Sequence, residues 1–219
     1  MLTSLLERKP RPKRDVLMIH GAWSTGLAFH HLVMRLKDHP NVGEVHTPSY
    51  NIQTQSMTRI ITTMRHLLDQ EIARPTIVLG HSLGGILSLA LHDSVFCHSL
   101  ITVSAPIDGM SFNMFIRGLI SMRSPFLADA FTGSEMMRQL HRQEYSKQID
   151  QICTTNGFSP MITEPNDGVV TVRSQTKWKP KSANMHAVHC NHTEILVSDY
   201  LFETLKTQLE TPICPTPSI

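Results

Sequence analysis

The segment at residues 75–91 constrains the fold more than any other part of the chain. It contains a proline, the apolar run TIVL at 76–79, the motif GHSLGG at 80–85 and the apolar run ILSLAL at 86–91. A short apolar run that ends in glycine is typical of a buried strand, and the second run is apolar enough to form a buried helix. The pattern G-x-S-x-G between them is typical of a strained strand-to-helix turn that holds a serine at its tip, where flanking glycines avoid side-chain clashes. This context predicts that Ser82 is a nucleophile, and the alternative is a purely structural glycine turn.

The remaining sequence alternates predicted strands with predicted helices. Apolar runs predict further strands near 15–20, 42–47, 99–104, 158–163 and 183–189, and apolar residues at three- and four-residue steps predict helices near 29–36, 57–72 and 197–209. This alternation is typical of a mostly parallel sheet with helices on both faces, so the predicted class is α/β. Ligands bind beyond the carboxyl ends of the strands in such sheets. Candidate functional residues are therefore sought directly after predicted strands.

Length and composition favour one domain. With 219 residues, the chain is long enough for one sizeable hydrophobic core. Residues 1–14 include the run RKPRPKR at 8–14 and are predicted to form a flexible basic arm, because charge and proline oppose packing. We predict a globular domain over 15–210 and an extended tail over 211–219.

Charge and cysteine usage exclude several classes of protein. The net charge of +2 is too small to predict nucleic-acid binding. We find no apolar run long enough for membrane insertion and no signal-peptide pattern near residue 1, so a cytoplasmic location is expected. The four cysteines, at 97, 153, 190 and 214, are scattered without a C-x-x-C pair, which favours reduced thiols over disulfides or a zinc site.

A serine nucleophile needs a base, and the base needs an acid to orient it. His192 is the preferred base because it lies in a polar loop between the last predicted strand and the last predicted helix, and His189 is the next choice. Asp167, in the turn-rich sequence EPNDG at 164–168, is the preferred acid, although an aspartate before glycine can serve only the turn. Asp108 is the rival acid, because it follows another predicted strand.

An oxyanion hole needs two N–H donors directed at the developing negative charge. The backbone N–H of Leu83, the residue after the candidate nucleophile, is one expected donor. The second is expected from Ala22, in the sequence HGAW at 20–23 after the first predicted strand. His20 is expected to hold this loop by hydrogen bonds. Trp23 is interpreted either as a wall of the substrate pocket or as an ordinary packing residue.

The segment between about 106 and 150 is long for a connection in an α/β protein. Its first half is rich in methionine and other apolar residues, and a polar, helix-like stretch follows from 134 to 149. We predict a helical cap over the site in which Phe112, Phe115 and Leu119 contact substrate. The alternative is an amphipathic helix packed on the core.

Four motifs together resemble the α/β-hydrolase superfamily: HGAW at 20–23, GHSLGG at 80–85, PNDGVV at 165–170 and NHTEIL at 191–196. The similarity covers about residues 16–209 and is greatest to the small lipase and esterase branch. Its members order the triad as serine, acid, histidine, which matches Ser82, Asp167 and His192. The two antiparallel strands that begin larger members are not found, so the resemblance implies a minimal version of the fold with about six strands.

The sequence therefore predicts a serine ester hydrolase. Ser82, His192 and Asp167 are expected to act through an acyl-enzyme on an ester or lipid-like small molecule with an apolar acyl part, with no metal and no cofactor. An acyltransferase, thioesterase or amidase would use the same residues. A catalytically idle hydrolase fold that serves as a receptor is the alternative from another class of protein.

Overall fold

The computed structural model describes residues 12–111 and 124–212. Its centre is a six-stranded parallel sheet with the order β2-β1-β3-β4-β5-β6. The strands are β1 (Arg14–Ile19), β2 (Val42–His46), β3 (Thr76–His81), β4 (Cys97–Val103), β5 (Gln148–Thr154) and β6 (Ala183–Val188). The prediction of an α/β fold with about six parallel strands is confirmed.

Seven α-helices lie in the described part of the chain. They are α1 (His30–Leu36), α2 (Met57–His66), α3 (Leu83–Leu89), α4 (Pro125–Asp129), α5 (Glu135–Arg142), α6 (Val172–Thr176) and α7 (Asp199–Glu210). Two 3₁₀ turns, Gly26–Phe29 and Glu194–Val197, lead towards α1 and α7, and a π-helical turn, Leu67–Glu71, extends α2.

Helices cover both faces of the sheet, as the near-continuous apolar strands require. In β1, Leu17 and Ile19 pack into a core that includes apolar residues of α2, α3, α4 and α5. The alternate residues, Val16 and Met18, pack into a second core with α1 and α7. This alternation follows from the two-residue period of a strand.

The predicted strand at 158–163 is wrong, and β5 is the strand that sequence reasoning missed. Residues 158–163 form an irregular segment with a turn at 160–161, with Phe158 85% exposed and Met161 88% exposed, and Pro160 lacks the N–H that a central strand would need. β5 has the polar sequence QIDQICT, yet Asp150 is buried. Its carboxylate accepts a hydrogen bond from Gln208 of α7 and pairs with His186 of β6 at 3.0 Å. Side-chain partners from neighbouring elements thus allow this polar strand inside the sheet.

Smaller differences concern element ends. β1 begins at Arg14, whose buried guanidinium donates to the backbone oxygen of Leu209 at 2.6 Å. The long connection after β4 spans 104–147, and the stretch predicted as helical from 134 to 149 forms α5 and then the start of β5. Cys97, Cys153 and Cys190 are buried free thiols. The predicted contact residues Phe112, Phe115 and Leu119 lie outside the described residues, as does Cys214.

Candidate active site

Ser82 occupies a strained turn between β3 and α3. Its backbone angles are φ 55° and ψ −126°, a conformation that side-chain-bearing residues rarely adopt. The turn is fixed because the Ser82 N–H donates to the backbone oxygen of Val103 at 2.8 Å. A Cβ atom at Gly80 would lie 2.2 Å from the Gly84 oxygen, and one at Gly84 would lie 2.0 Å from the Ile19 oxygen. Both glycines are therefore required for the close approach of α3 to the sheet.

His192 and Asp167 form a buried pair at the same edge of the sheet. The Nδ1 atom of His192 lies 2.8 Å from Oδ2 of Asp167, and the His192 backbone N–H donates to the Asp167 backbone oxygen at 2.9 Å. A carboxylate only accepts hydrogen bonds, so Nδ1 of His192 carries a proton, which fixes the tautomer that offers Nε2 as a proton acceptor. The two side chains are 8% and 0% exposed, which keeps bulk water from competing for this hydrogen bond.

The Asp167 carboxylate is held from both sides. Oδ1 accepts the backbone N–H groups of Val169 at 3.0 Å and Val170 at 2.7 Å. Oδ2 accepts from the Thr154 hydroxyl at 2.6 Å and from Nε2 of Gln175 at 3.1 Å. Burial by itself would raise the pKa of Asp167, but the hydrogen bonds from His192, Thr154 and Val170 outweigh it and hold the pKa below its usual value. Asp167 is therefore ionised and fixed in orientation at neutral pH.

His81 connects the serine turn to the histidine loop. Its Nε2–H donates to the backbone oxygen of His192 at 2.8 Å, and the two imidazole centroids are 4.7 Å apart. Burial, followed by the neighbouring charge of His192, lowers the pKa of His81 to about 3. His81 is thus neutral near pH 7 and contacts His192 without repelling a positive charge that forms there. Because His81 directly precedes Ser82, this contact brings the two candidate catalytic loops together.

The loop after β1 packs directly on Ser82. A Cβ atom at Gly21 would lie 2.7 Å from the Cβ of Ser82 and 3.2 Å from its Oγ, so only glycine allows this approach. The neighbouring His20 ring donates through Nδ1 to the Gly21 oxygen at 2.7 Å, and Nε2 accepts the Tyr50 N–H at 3.4 Å. The rings of His20 and Tyr50 stack with centroids 4.1 Å apart. The expectation that His20 holds this loop by hydrogen bonds is confirmed.

The residues left as alternatives by the sequence have different surroundings in the structure. Asp108 forms an ion pair with Lys177 at 2.9 Å, whereas the carboxylate that contacts His192 belongs to Asp167. His189 is exposed. Trp23 is 76% exposed and lines a cleft beside the loop after β1, which contradicts the interpretation as an ordinary packing residue.

Sequence reasoning missed Thr154, Gln175 and His81, which support the histidine and its acid. Thr154 ends the strand that was not predicted, and Gln175 lies on the five-residue helix α6. Only the position of His81 beside Ser82 was a signal within the sequence.

Within residues 12–111 and 124–212, no group of histidine, cysteine and acidic side chains has the arrangement of a metal site. No helix of the same residues is long and apolar enough to cross a membrane.

The parallel sheet, the strained serine turn and the buried histidine–aspartate pair together define the α/β-hydrolase fold. A family model described as the alpha/beta hydrolase family matches residues 16–190, and the chain belongs to this family.

One curated relative, a pimeloyl-[acyl-carrier protein] methyl ester esterase of Vibrio cholerae, is 28% identical over 94 residues. The matched stretch covers 42% of this chain and only 37% of that esterase. Among solved structures, the mature lipase BlEst2 of Bacillus licheniformis has a TM-score of 0.68 and 15% identity, with 92% of this chain and 94% of that chain covered. The type II thioesterase BorB of the borrelidin biosynthetic cluster has a TM-score of 0.61 and 14% identity, with 94% and 95% covered. At these identities the solved structures show a shared fold.

Proposed function

We propose that the protein is a serine hydrolase of carboxylic esters or thioesters, within the lipase and esterase branch of the family. The observation that carries this proposal is the buried hydrogen bond between Asp167 and His192, joined through His81 to the strained turn of Ser82. An ionised acid, a histidine whose Nδ1 donates to that acid and a serine at a strained turn are the groups that acyl transfer needs.

In the proposed mechanism, the Ser82 hydroxyl attacks the acyl carbon while Nε2 of His192 takes its proton. Asp167 keeps His192 in the required tautomer and stabilises the imidazolium that forms. The backbone N–H groups of Leu83, at the start of α3, and of Ala22 stabilise the oxyanion. The proton then passes from His192 to the leaving alcohol or thiol. In the second half of the reaction, Nε2 of His192 takes a proton from water as the water oxygen attacks the acyl carbon, and this proton passes to Oγ of Ser82 as the bond between Ser82 and the acyl group breaks.

The apolar residues Phe112, Phe115 and Leu119 are proposed, on sequence alone, to contact the acyl part of the substrate. The named activities of similar proteins, a methyl ester esterase, a lipase and a thioesterase, support an ester or thioester substrate. No cofactor is assigned a role in this mechanism.

The test is Ser82→Ala, compared with the wild type in labelling by a fluorophosphonate and in hydrolysis of p-nitrophenyl butyrate. We expect loss of labelling and a fall in kcat of about 10⁴-fold or more, because the attacking atom is removed. The melting temperature and far-ultraviolet circular dichroism serve as controls for folding. A folded Ser82→Ala protein that keeps wild-type hydrolysis would refute the proposal.

A further inference from the structure

Two buried hydroxyl groups form a chain that ends on the acid of the candidate site. Oγ1 of Thr154, the last residue of β5, lies 2.6 Å from Oδ2 of Asp167 and 2.8 Å from Oγ of Ser104, which directly follows β4. Thr154 and Ser104 are both 0% exposed. Any effect of this chain on catalysis therefore passes through Asp167 to His192, whose Nδ1 donates to the same Oδ2 at 2.8 Å.

The number of protons fixes the direction of the hydroxyl chain. A hydroxyl group has one proton to donate, and an ionised carboxylate has none, so the Thr154 proton lies on the side of Asp167. The other acceptor near this hydroxyl, Oε1 of Gln175, is farther away at 3.4 Å and already accepts the Thr154 backbone N–H at 2.9 Å. The 2.8 Å contact between the two hydroxyl oxygens then needs Ser104 as the donor. Ser104 donates to Thr154, Thr154 donates to Asp167, and each hydrogen bond strengthens the next by polarisation.

The surrounding structure fixes both members of the chain. Nε2 of Gln175, on α6, donates to the backbone oxygen of Thr154 at 3.0 Å and to Oδ2 of Asp167 at 3.1 Å, so one side chain holds the threonine and the acid together. Ser104 has a φ of 50°, in the left-handed region that residues with side chains rarely adopt, as has Ser82 with 55°. Such strain persists where neighbouring contacts enforce it, and it is concentrated at functional sites.

The hydroxyl chain affects the strength with which Asp167 holds a positive charge on His192. A carboxylate that shares its negative charge with several hydrogen-bond donors stabilises a neighbouring cation less than one with few donors. We propose that Ser104 and Thr154 are positioning residues, which draw negative charge from Oδ2 of Asp167 and thereby set the lowest pH at which His192 acts as a base. This inference rests on the proposed serine hydrolase function. Without the chain, His192 holds its proton more strongly and activity is lost at a higher pH.

The other titratable groups near this pair do not account for such an effect. They are His20 after β1, His81 at the end of β3, Cys190 and Glu194 on either side of His192, and Arg173 and Lys177 on α6. Burial lowers the pKa of His20 and of His81, and burial raises that of Cys190. Lys177 pairs with Asp108, and Arg173 is exposed. Substitutions in the hydroxyl chain leave all these groups in place, so their contribution cancels when a variant is compared with the wild type.

The test is Thr154→Val, which removes the hydroxyl and keeps the branched shape of the side chain. We measure kcat/KM for p-nitrophenyl butyrate between about pH 5 and pH 9, and we expect the midpoint of the acid limb to rise by about 0.5 to 1 pH unit. Thr102→Val is the matched control, because Thr102 is a fully buried threonine of β4 whose hydroxyl has no hydrogen-bond partner among the described residues. Its midpoint should equal that of the wild type.

Three further variants test the order of the chain. Thr154→Ser restores the hydroxyl without the methyl group, so its midpoint should return to the wild-type value even where its melting temperature is lower. Ser104→Ala should raise the midpoint by less than Thr154→Val does. The double variant of Ser104→Ala with Thr154→Val should match Thr154→Val alone, because Ser104 acts only through Thr154. A role in packing alone would lower the melting temperature or kcat without this pattern.

The inference is overturned by an unchanged or lower midpoint in folded Thr154→Val or, where that variant does not fold, in Ser104→Ala. An equal rise in Thr102→Val, a Thr154→Ser midpoint that stays at the Thr154→Val value, or shifts that add in the double variant would also overturn it. Failure of the proposed function is distinct, because the wild type would then neither hydrolyse the ester nor react with the fluorophosphonate. Titration of the His192 ring followed by NMR needs no substrate and measures the same midpoints in that case.

Discussion

At the scale of single residues, the two aspartates that follow sheet strands have different surroundings. Asp167 accepts hydrogen bonds from His192 and from four further donors, whereas Asp108 pairs with Lys177, which is half exposed. A carboxylate that orients an imidazole needs fixed geometry, and the first arrangement supplies it.

We therefore expect Asp167→Asn to lower kcat by about 10⁴-fold with little change in KM, because an amide N–H facing Nδ1 favours the wrong tautomer of His192. Asp108→Asn, the matched change at the rival position, should alter kcat less than about twofold, since an exposed ion pair contributes little. The measurement is steady-state hydrolysis of p-nitrophenyl butyrate by both folded variants. The opposite ranking would transfer the acid role to Asp108.

Single residues also show which parts of the candidate site could be predicted from the sequence. Ser82 and His192 could be named as candidates from motif and position, because each follows a strand that was predicted correctly. Asp167 was named from a turn after the predicted strand at 158–163, which is wrong, and its contact with His192 is seen only in the folded chain. Thr154 and Gln175 could not be named, because their role depends on side chains that meet only after folding. Trp23 was undecided for the same reason: an aromatic residue in sequence does not reveal its exposure.

At the scale of elements, apolar strands were predicted well and the polar strand was not. β1, β3 and β4 are recognisable since both of their faces are buried in apolar cores. β5 contains Asp150 and Gln151, and its polarity is balanced by Gln208 of α7 and by the backbone oxygen of Gln175. Such compensation is a tertiary property, which a local pattern cannot show.

The contact between α3 and β1 gives a prediction at this scale. In Gly84→Ala, the new methyl group would lie 2.0 Å from the Ile19 oxygen, so α3 must move away from the sheet or the chain must unfold. We expect a loss of several kcal/mol in the free energy of unfolding, in the range of overpacked cores or beyond it. Chemical denaturation measures this loss. Gly133→Asn is the control, because a Cβ atom there meets nothing within 4 Å and asparagine tolerates its φ of +76°; equal losses in the two variants would contradict the steric explanation.

At the scale of the whole molecule, loops from β1, β3, β5 and β6 bring several buried ionisable groups to one edge of the sheet. Burial lowers the pKa of His20, and burial with the charge of His192 lowers that of His81 to about 3. Hydrogen bonds lower the pKa of Asp167 despite its burial. All three groups bind protons more readily in the unfolded chain than in the native protein over part of the acid range.

The sign of the resulting pH dependence follows from linkage. Between the unfolded histidine pKa of 6.5 and the native value of about 3, the unfolded state binds more protons at His81, so stability falls as pH falls. Asp167 acts in the same direction below its unfolded pKa of 3.8. From pH 6.5 to pH 4, His81 alone should reduce the free energy of unfolding by about 3 kcal/mol, at roughly 1.4 kcal/mol per pH unit. Urea denaturation at several pH values measures this decline.

His81→Gln isolates the contribution of this histidine, because glutamine retains an N–H donor for the His192 oxygen but does not titrate. We expect the variant to lose much of the stability decline between pH 6.5 and pH 4, even where its stability at pH 7.5 is lower than that of the wild type. The comparison uses the slope of the free energy against pH, so a constant packing loss cancels. A slope unchanged by the substitution would mean that His81 takes up its proton in the native protein as easily as in the unfolded chain, and that the contact between the serine turn and the His192 loop tolerates a charged ring.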